Sequence, residues 1–154
     1  MAAVKTLAQE RDKTEILRRL RTLRPDCPRR WGRMSAHQMV CHLGDSFRAA
    51  LGRLPVSSAV TPFSRTLLKW AAFHLPWPPG ITTVRELDQV RGGGTKPGDF
   101  ARDLAELEAL LEEVTAPGAD LGNTEHPMFG PMSRAEWLRW GYLHMDHHFR
   151  QFSV

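Results

Sequence analysis

The chain has 154 residues, of which 42% are hydrophobic and 25% charged, and a formal net charge of +4. This composition excludes an intrinsically disordered chain, and the length suits a single domain, residues 1–154, whose core needs no disulfide. The longest apolar run, around Leu67 to Trp77, contains Lys69 and His74 and is too short to span a bilayer. We therefore expect no membrane partner.

Cysteine usage and the N-terminal residues point to a reducing compartment. Cys27 and Cys41 are the only cysteines, and neither lies in a ligand-spaced pattern such as CxxC. The N-terminal residues become charged too soon to hold the apolar core of a signal peptide. We therefore expect a cytoplasmic protein.

Arginine is concentrated in the first part of the chain. Of the 21 basic residues 17 are Arg, and seven of these fall between Arg18 and Arg33. Such a cluster can contact phosphate or an anionic substrate. Because 17 acidic residues are interspersed and no recognised nucleic-acid motif appears, a solvated helix face and loop are favoured. Nucleic acid is accordingly disfavoured as a partner.

Two helices are predicted in the first third of the chain. Apolar residues at helical spacing predict a first helix over about residues 6–23, which a proline-containing loop ends. Ser35 and Gln38 match a capping box, so a second helix begins there. The apolar stripe of this second helix consists of Met39, Leu43, Phe47, Ala50 and Leu54. His42 lies near the edge of the stripe, a position that suits a cleft between helices or a half-exposed side chain.

Residues 56–98 are the least regular part of the sequence. Phe63, Leu67 and Trp70 predict a short helix over about residues 62–74, and the segment that follows is dense in proline and glycine. We expect a long connection between the second and third principal helices. It either forms a lid or pocket wall or only wraps one end of the molecule.

The last third of the chain predicts two further helices and no convincing strand. A third helix spans about residues 99–115, where apolar residues alternate steps of four and three. Ser133 and Glu136 form a second capping box and start a final helix that runs to about Phe152. Four principal helices with one long connection predict an all-α fold, a four-helix bundle.

The final helix carries a histidine pair on the face that should be buried. At about 100° per residue, His144 and His148 share one face with Trp137, Gly141 and Gln151. A spacing of four lets two imidazoles reach one metal ion, although such pairs are often incidental. If the second helix lies beside the last one, His42 completes a three-histidine site for Zn²⁺, Ni²⁺ or Fe²⁺ with an open coordination position.

Other polar residues have lesser predicted roles. Gln151 lies one turn beyond His148, where it could orient a ligand from outside the coordination sphere or line the pocket. His126 precedes a proline in a loop, where it could line the mouth of a pocket. His147 is expected at a helix interface or in solvent, and His37 has no partner that sequence reveals. Cys41 points about 100° away from His42, as expected of a small core residue.

A resemblance to a known family rests on the segments MSAHQMVCHLGDSFRAAL and HMDHHFRQF. They resemble the DinB-like superfamily, four-helix metal-binding proteins that include bacillithiol and mycothiol transferases. WGRMSAHQMVCHL and HPMFGPMSRAEW are most similar to a branch of unknown function. The resemblance implies an up-down-down-up bundle and a homodimer. Its metal triad matches His42, His144 and His148.

Three functions compete at this point. The leading hypothesis is a metal-dependent thiol S-transferase or hydrolase of a small molecule, in which the metal activates a thiol or a water. The second is a non-catalytic metal-binding or stress-response module. The third, which the charge distribution disfavours, is a nucleic-acid-binding protein that uses the Arg18 to Arg33 cluster.

Overall fold

A computed structural model describes residues 4–121 and 124–154, and within these residues the chain is mostly helical. The elements in chain order are α1 (Glu10–Leu20), α2 (Ala36–Ala50), α3 (Lys69–His74), α4 (Phe100–Thr115), β1 (Glu125–His126), β2 (Gly130–Pro131) and α5 (Arg134–Gln151). A π-helical turn, Ser64–Leu68, leads into α3, and two 3₁₀ turns, Arg85–Leu87 and Gln89–Arg91, follow it. None of these helices is long and apolar enough to cross a membrane.

α1 is shorter at both ends than the sequence predicted. Residues before Glu10 are held by tertiary contacts, since the Leu7 N–H donates to the Leu138 carbonyl of α5 at 3.2 Å. Ile16 and Leu20, two residues of the predicted stripe, are fully buried. Fully burying such a side chain contributes about 1.5–3 kcal/mol.

α2 begins where the capping box predicted. The Ser35 hydroxyl accepts from the Gln38 N–H, and the Gln38 side chain accepts from the Ser35 N–H. Four residues of the predicted stripe are buried, namely Met39, Leu43, Phe47 and Ala50. Leu54 lies beyond the helix end. α2 packs against both α4 and α5, so two of its faces are covered by helices.

The predicted helix over residues 62–74 is present as the π-helical turn and α3, but its apolar stripe faces outward. Phe63 and Trp70 are more than half exposed, as is Leu67 between them. The opposite side makes the tertiary contacts, where the Phe73 ring lies 6.4 Å from that of Phe129. Lys69 forms a 2.7 Å ion pair with Glu136. The apolar periodicity correctly predicted a helix here. The side of this helix that packs against the rest of the protein, however, is the less apolar one.

α5 crosses the core and starts at the second predicted capping box. Ser133 accepts from the Glu136 N–H, as Ser35 does from Gln38. α5 contacts α1, α2 and α3. Gly141 permits a close approach, because a Cβ there would lie 2.9 Å from Leu7 Cδ1.

The small sheet was not predicted. β1 and β2 pair antiparallel, with His126 opposite Gly130. Two-residue strands are too short to show an alternating pattern in sequence.

Candidate metal centre

Two helices bring the three predicted histidines together. His42 comes from the middle of α2, and His144 and His148 lie one turn apart on α5. Ligand atoms from all three lie within 4.8 Å of one another, and the Nε2 atoms of His42 and His144 are 3.0 Å apart. All three side chains are buried, with at most 8% of the residue exposed. The predicted neighbours therefore meet at one buried point.

Hydrogen bonds at the outer edges of two rings determine their tautomers. The Nδ1 of His42 lies 2.9 Å from the Leu87 carbonyl oxygen, which can only accept, so this nitrogen carries the proton. The Nδ1 of His148 lies 2.8 Å from Gln151 Oε1. That amide orientation follows from Gln151 Nε2, which donates to the Trp31 carbonyl at 2.9 Å. His42 and His148 therefore both direct an Nε2 lone pair inward.

His144 offers the third Nε2 lone pair when its ring proton moves from Nε2 to Nδ1. Since His42 Nε2 carries no proton, the 3.0 Å contact requires His144 Nε2 to donate in the metal-free protein. When that proton lies on Nδ1 instead, three Nε2 lone pairs face one point. Nitrogen ligands at 2.0–2.1 Å from a tetrahedral ion are about 3.3 Å apart, close to the 3.0 Å between the Nε2 atoms of His42 and His144. The residues present therefore fit a divalent transition metal.

Burial keeps these imidazoles neutral. It lowers the pKa of His42 and holds the pKa of both His144 and His148 well below the ordinary histidine value. The neighbouring rings of the cluster lower the last two further, because positive charges would repel one another. Neutral imidazole is the form that binds metals, so metal binding at neutral pH requires no net loss of a proton from the three rings.

Aromatic rings enclose the centre. Trp140 lies 4.6 Å from His144 between ring centroids, and Trp77 lies 6.0 Å from the same ring. His147 packs between Trp77 and Trp31, at 5.5 and 5.7 Å. His147 is buried between these two tryptophans, so the alternative of a solvent position is wrong. Burial lowers the pKa of His147 to about 4.

The long connection contributes directly to the site. Trp77 forms part of the aromatic wall, and the Leu87 carbonyl orients His42. These contacts show that part of the connection over residues 56–98 packs directly against the three histidines. Sequence reasoning missed both residues, because neither lies in a motif nor at a spacing that relates it to α2 or α5.

Gln151 links the centre to the arginine-rich loop. Besides its bond to His148, its backbone carbonyl accepts from the Arg30 N–H at 2.7 Å. Gly32 adopts a φ of +75°, and a Cβ there would lie 2.7 Å from Gln151 Nε2. The predicted place of Gln151 beside His148 thus agrees with the contacts of Gln151. The turn around Trp31 packs closely against the Gln151 side chain.

His126 lies in the interior, which differs from its predicted place at the mouth of a pocket. Its Nδ1 accepts from the N–H groups of Met128 and Phe129, both at 3.2 Å. Its ring packs among Phe129, Trp137 and Trp140, and burial lowers its pKa to about 3. The turn after His126 folds back on the His126 ring. This turn buries a side chain that the local sequence suggested was accessible.

Three of the seven arginines in the cluster form ion pairs. Arg19 pairs with Asp146 at 2.7 Å and Arg21 with Glu108 at 3.1 Å. Arg24 pairs with Asp26 at 3.3 Å. These pairs agree with the interpretation of a solvated helix face, and they direct Asp146 away from the metal centre.

A known protein family matches nearly the whole chain. The family is described as "Protein of unknown function (DUF1569)", and it matches residues 4–154. No curated protein and no solved structure matches the chain. Since the family description carries no activity, the geometry of the site is the basis for a function.

Proposed function

We propose that this chain, which belongs to the DUF1569 family of proteins of unknown function, is a metal-dependent enzyme. It would activate a low-molecular-weight thiol or a water for S-transfer or hydrolysis of a small molecule. The observation that supports this most is the convergence of three buried, neutral imidazoles, two of which have their Nε2 lone pairs oriented by hydrogen bonds. Zn²⁺, Ni²⁺ and Fe²⁺ all suit an all-imidazole donor set.

We also propose that the chain is a DinB-like protein with an up-down-down-up bundle as its single domain. The contacts of α2 with α4 and α5, and of α1 with α5, support this arrangement. The match of His42, His144 and His148 to the superfamily's triad supports it as well.

Each residue around the centre has a defined role in this proposal. His42, His144 and His148 would hold a divalent metal, which would supply Lewis acidity and lower the pKa of a thiol or a water beside it. Gln151 keeps His148 in the ligating tautomer, and the Leu87 carbonyl does the same for His42. The surrounding tryptophans limit water, which strengthens electrostatic interactions inside the site.

The loop that Gln151 anchors suits an anionic substrate. Arg30 and Arg33 are exposed there, and Trp31 between them contacts His147. Guanidinium groups bind carboxylates with two parallel hydrogen bonds. A small thiol or conjugate that carries a carboxylate fits such an entrance.

The proposal is tested with purified protein stripped of metal and reloaded with Zn²⁺, Ni²⁺ or Fe²⁺. Two probe reactions cover both nucleophiles: cysteine with 1-chloro-2,4-dinitrobenzene, and hydrolysis of 4-nitrophenyl acetate. We expect reloaded protein to exceed stripped protein by about 100-fold or more in one of them, as metal activation of a nucleophile allows. His144→Ala should behave like stripped protein, and His74→Ala, an exposed histidine on α3, like wild type.

Two results would contradict the proposal. Wild-type protein that takes up no stoichiometric metal would remove its basis. Tight metal uptake, with a melting temperature that falls on chelation but no turnover of either probe, would instead indicate a non-catalytic metal-binding module.

A further inference from the structure

We infer that His37, Cys41 and Asp103 form a second metal-binding site, suited to Zn²⁺ or Co²⁺, between α2 and α4. This cluster lies on a different face of α2 from His42 and shares no ligand with the three-histidine centre. The inference goes beyond the proposed enzyme function and does not depend on it.

The three side chains converge from two helices. His37 and Cys41 are four residues apart on α2, so they project from one face, and Asp103 lies in the first turn of α4. Asp103 Oδ2 lies 2.7 Å from His37 Nε2 and 3.9 Å from Cys41 Sγ. Donor atoms of all three residues lie within 4.8 Å of one another.

These distances are close to those of a coordination sphere. Bonds of about 2.0 Å to nitrogen and oxygen and 2.3 Å to sulfur separate tetrahedral donor atoms by about 3.3–3.6 Å. The cluster reaches that geometry by side-chain movements of about 1 Å, in which His37 and Asp103 separate and Cys41 approaches.

The hydrogen bonds of the cluster show which protons a metal would replace. Asp103 Oδ2 accepts from His37 Nε2, from the Cys41 thiol and from the Gly98 N–H at 3.0 Å. Metal binding releases the thiol proton to solvent and moves the His37 proton from Nε2 to Nδ1. The Gly98 N–H remains and orients the carboxylate from outside the coordination sphere.

Charge and space both suit a divalent cation. One thiolate and one carboxylate balance the two positive charges, so the loaded cluster is neutral in its partly buried setting. A small cleft of about 10 Å³ that opens to solvent is lined by Cys41, Asp103 and Glu106, and it has room for about one water molecule as a fourth ligand. Arg48 also lines it, but its guanidinium is paired with Asp45 and Glu106, each at 2.9 Å.

The donor set indicates the class of metal and the consequence of binding it. Nitrogen, sulfur and oxygen together favour zinc-like ions over Mg²⁺ or Ca²⁺, which prefer oxygen. A bound ion would join α2 to α4 directly, so it should raise the melting temperature of the protein.

The experiment uses the full chain, stripped of metal and titrated with Co²⁺ under reducing conditions. Thiolate bound to Co²⁺ gives a ligand-to-metal charge-transfer band in the near ultraviolet, which an all-imidazole site cannot produce. We expect two equivalents of Co²⁺ per chain, with this band accompanying one of them. His144→Ala should keep the band, and Cys27→Ser, which alters the only other cysteine, should leave both the band and the stoichiometry unchanged.

Substitution of a ligand in the His37, Cys41 and Asp103 site should remove the charge-transfer band without affecting metal binding at the three-histidine centre. Cys41→Ser should abolish the band and leave one equivalent, and Asp103→Asn should weaken the sulfur-linked equivalent about tenfold or more. Folded wild-type protein that shows no charge-transfer band at saturating Co²⁺ would overturn the inference, and so would a band that survives Cys41→Ser but disappears in Cys27→Ser. The wild-type and Cys27→Ser proteins are sufficient by themselves, so the inference stays testable even if Cys41→Ser fails to fold.

Discussion

The two flanks of α2 hold histidines in opposite electrostatic settings. On the α5 side, His42 meets two further imidazoles, and within the described parts of the chain no carboxylate hydrogen-bonds to any of the three. On the α4 side, His37 donates to the carboxylate of Asp103, and a thiol lies beside them. The first flank offers only neutral ligands, whereas the second offers the Asp103 carboxylate, which is already an anion, and the Cys41 thiol, which becomes one when it binds a metal.

This difference assigns different chemistry to the two flanks. A divalent ion among three neutral imidazoles retains its full formal charge and is a strong Lewis acid for a bound nucleophile. The same ion between a thiolate and a carboxylate is neutralised, which suits a structural link between helices. The flanks should also differ in affinity, since metal binding must displace a proton from Cys41 and the hydrogen bond between His37 and Asp103 only on the α4 side.

The largest expected effect separates the flanks by removing one histidine from each. His42→Ala should weaken Zn²⁺ binding at the three-histidine centre by more than about 100-fold. Removal of a ligand should cost more affinity than removal of a residue that only hydrogen-bonds to a ligand. His37→Ala should leave that centre unchanged within about threefold, since it lies outside the coordination sphere and its hydrogen-bonding shell. Competition with a chromophoric chelator measures both affinities, and equal losses in the two variants would contradict the separation.

A smaller effect tests how the α5 flank orients its ligands. Gln151→Leu removes the acceptor of the His148 Nδ1 proton and should cost about 10- to 100-fold in metal affinity. Gln151→Glu keeps an acceptor and should retain most of the affinity, although it loses the bond to the Trp31 carbonyl. If both variants lost affinity equally, anchoring of the Trp31 loop would be the function of Gln151 instead.

Per pH unit, the smallest effect concerns the pH dependence of stability in the metal-free protein. Burial lowers the pKa of His126 to about 3, so below its ordinary value near 6.5 the unfolded chain binds a proton that the folded chain does not. Stability from this group is complete above pH 6.5 and falls as the pH decreases toward 3, by at most about 1.4 kcal/mol per pH unit. His126→Asn keeps an acceptor for the Met128 and Phe129 N–H groups and should flatten this part of the curve.

The α4 flank should respond in a more acidic window. The Gly98 N–H holds the pKa of Asp103 below its ordinary value of 3.8, so its contribution is present above that pH and is lost as the pH falls through the folded-state pKa. Asp103→Asn should therefore change the shape of the curve only below about pH 4. Urea unfolding at a series of pH values in the presence of chelator measures both slopes. If the free energy of unfolding of His126→Asn ran parallel to that of wild type between pH 6.5 and 4, this result would contradict the role assigned to His126 in the pH dependence of stability.

Features encoded by neighbouring residues could be predicted from the sequence. Both capping boxes, at Ser35 and Ser133, lie at the helix starts that they predicted. The spacing of His144 and His148 is likewise a local property of one helix. Adding His42 required a further assumption, that α2 and α5 are neighbours, and the contacts between these helices agree with it.

Features that depend on distant partners could not be predicted. The sequence shows no link between His37 and Asp103, or between His42 and the Leu87 carbonyl, because folding alone brings these groups together. The stripe of Phe63 and Trp70 predicted a helix but not its orientation, since periodicity contains no information about which surface will be covered. Short elements such as β1 escape any pattern-based prediction.

The most direct test of the central claim is anomalous diffraction from crystals of the Zn²⁺-loaded protein, recorded at the zinc absorption edge. We expect a peak about 2.0–2.1 Å from the Nε2 atoms of His42, His144 and His148, with one coordination position left open. Absence of a peak at that point, with His42 and His144 still joined by their 3.0 Å contact, would contradict the proposed metal centre.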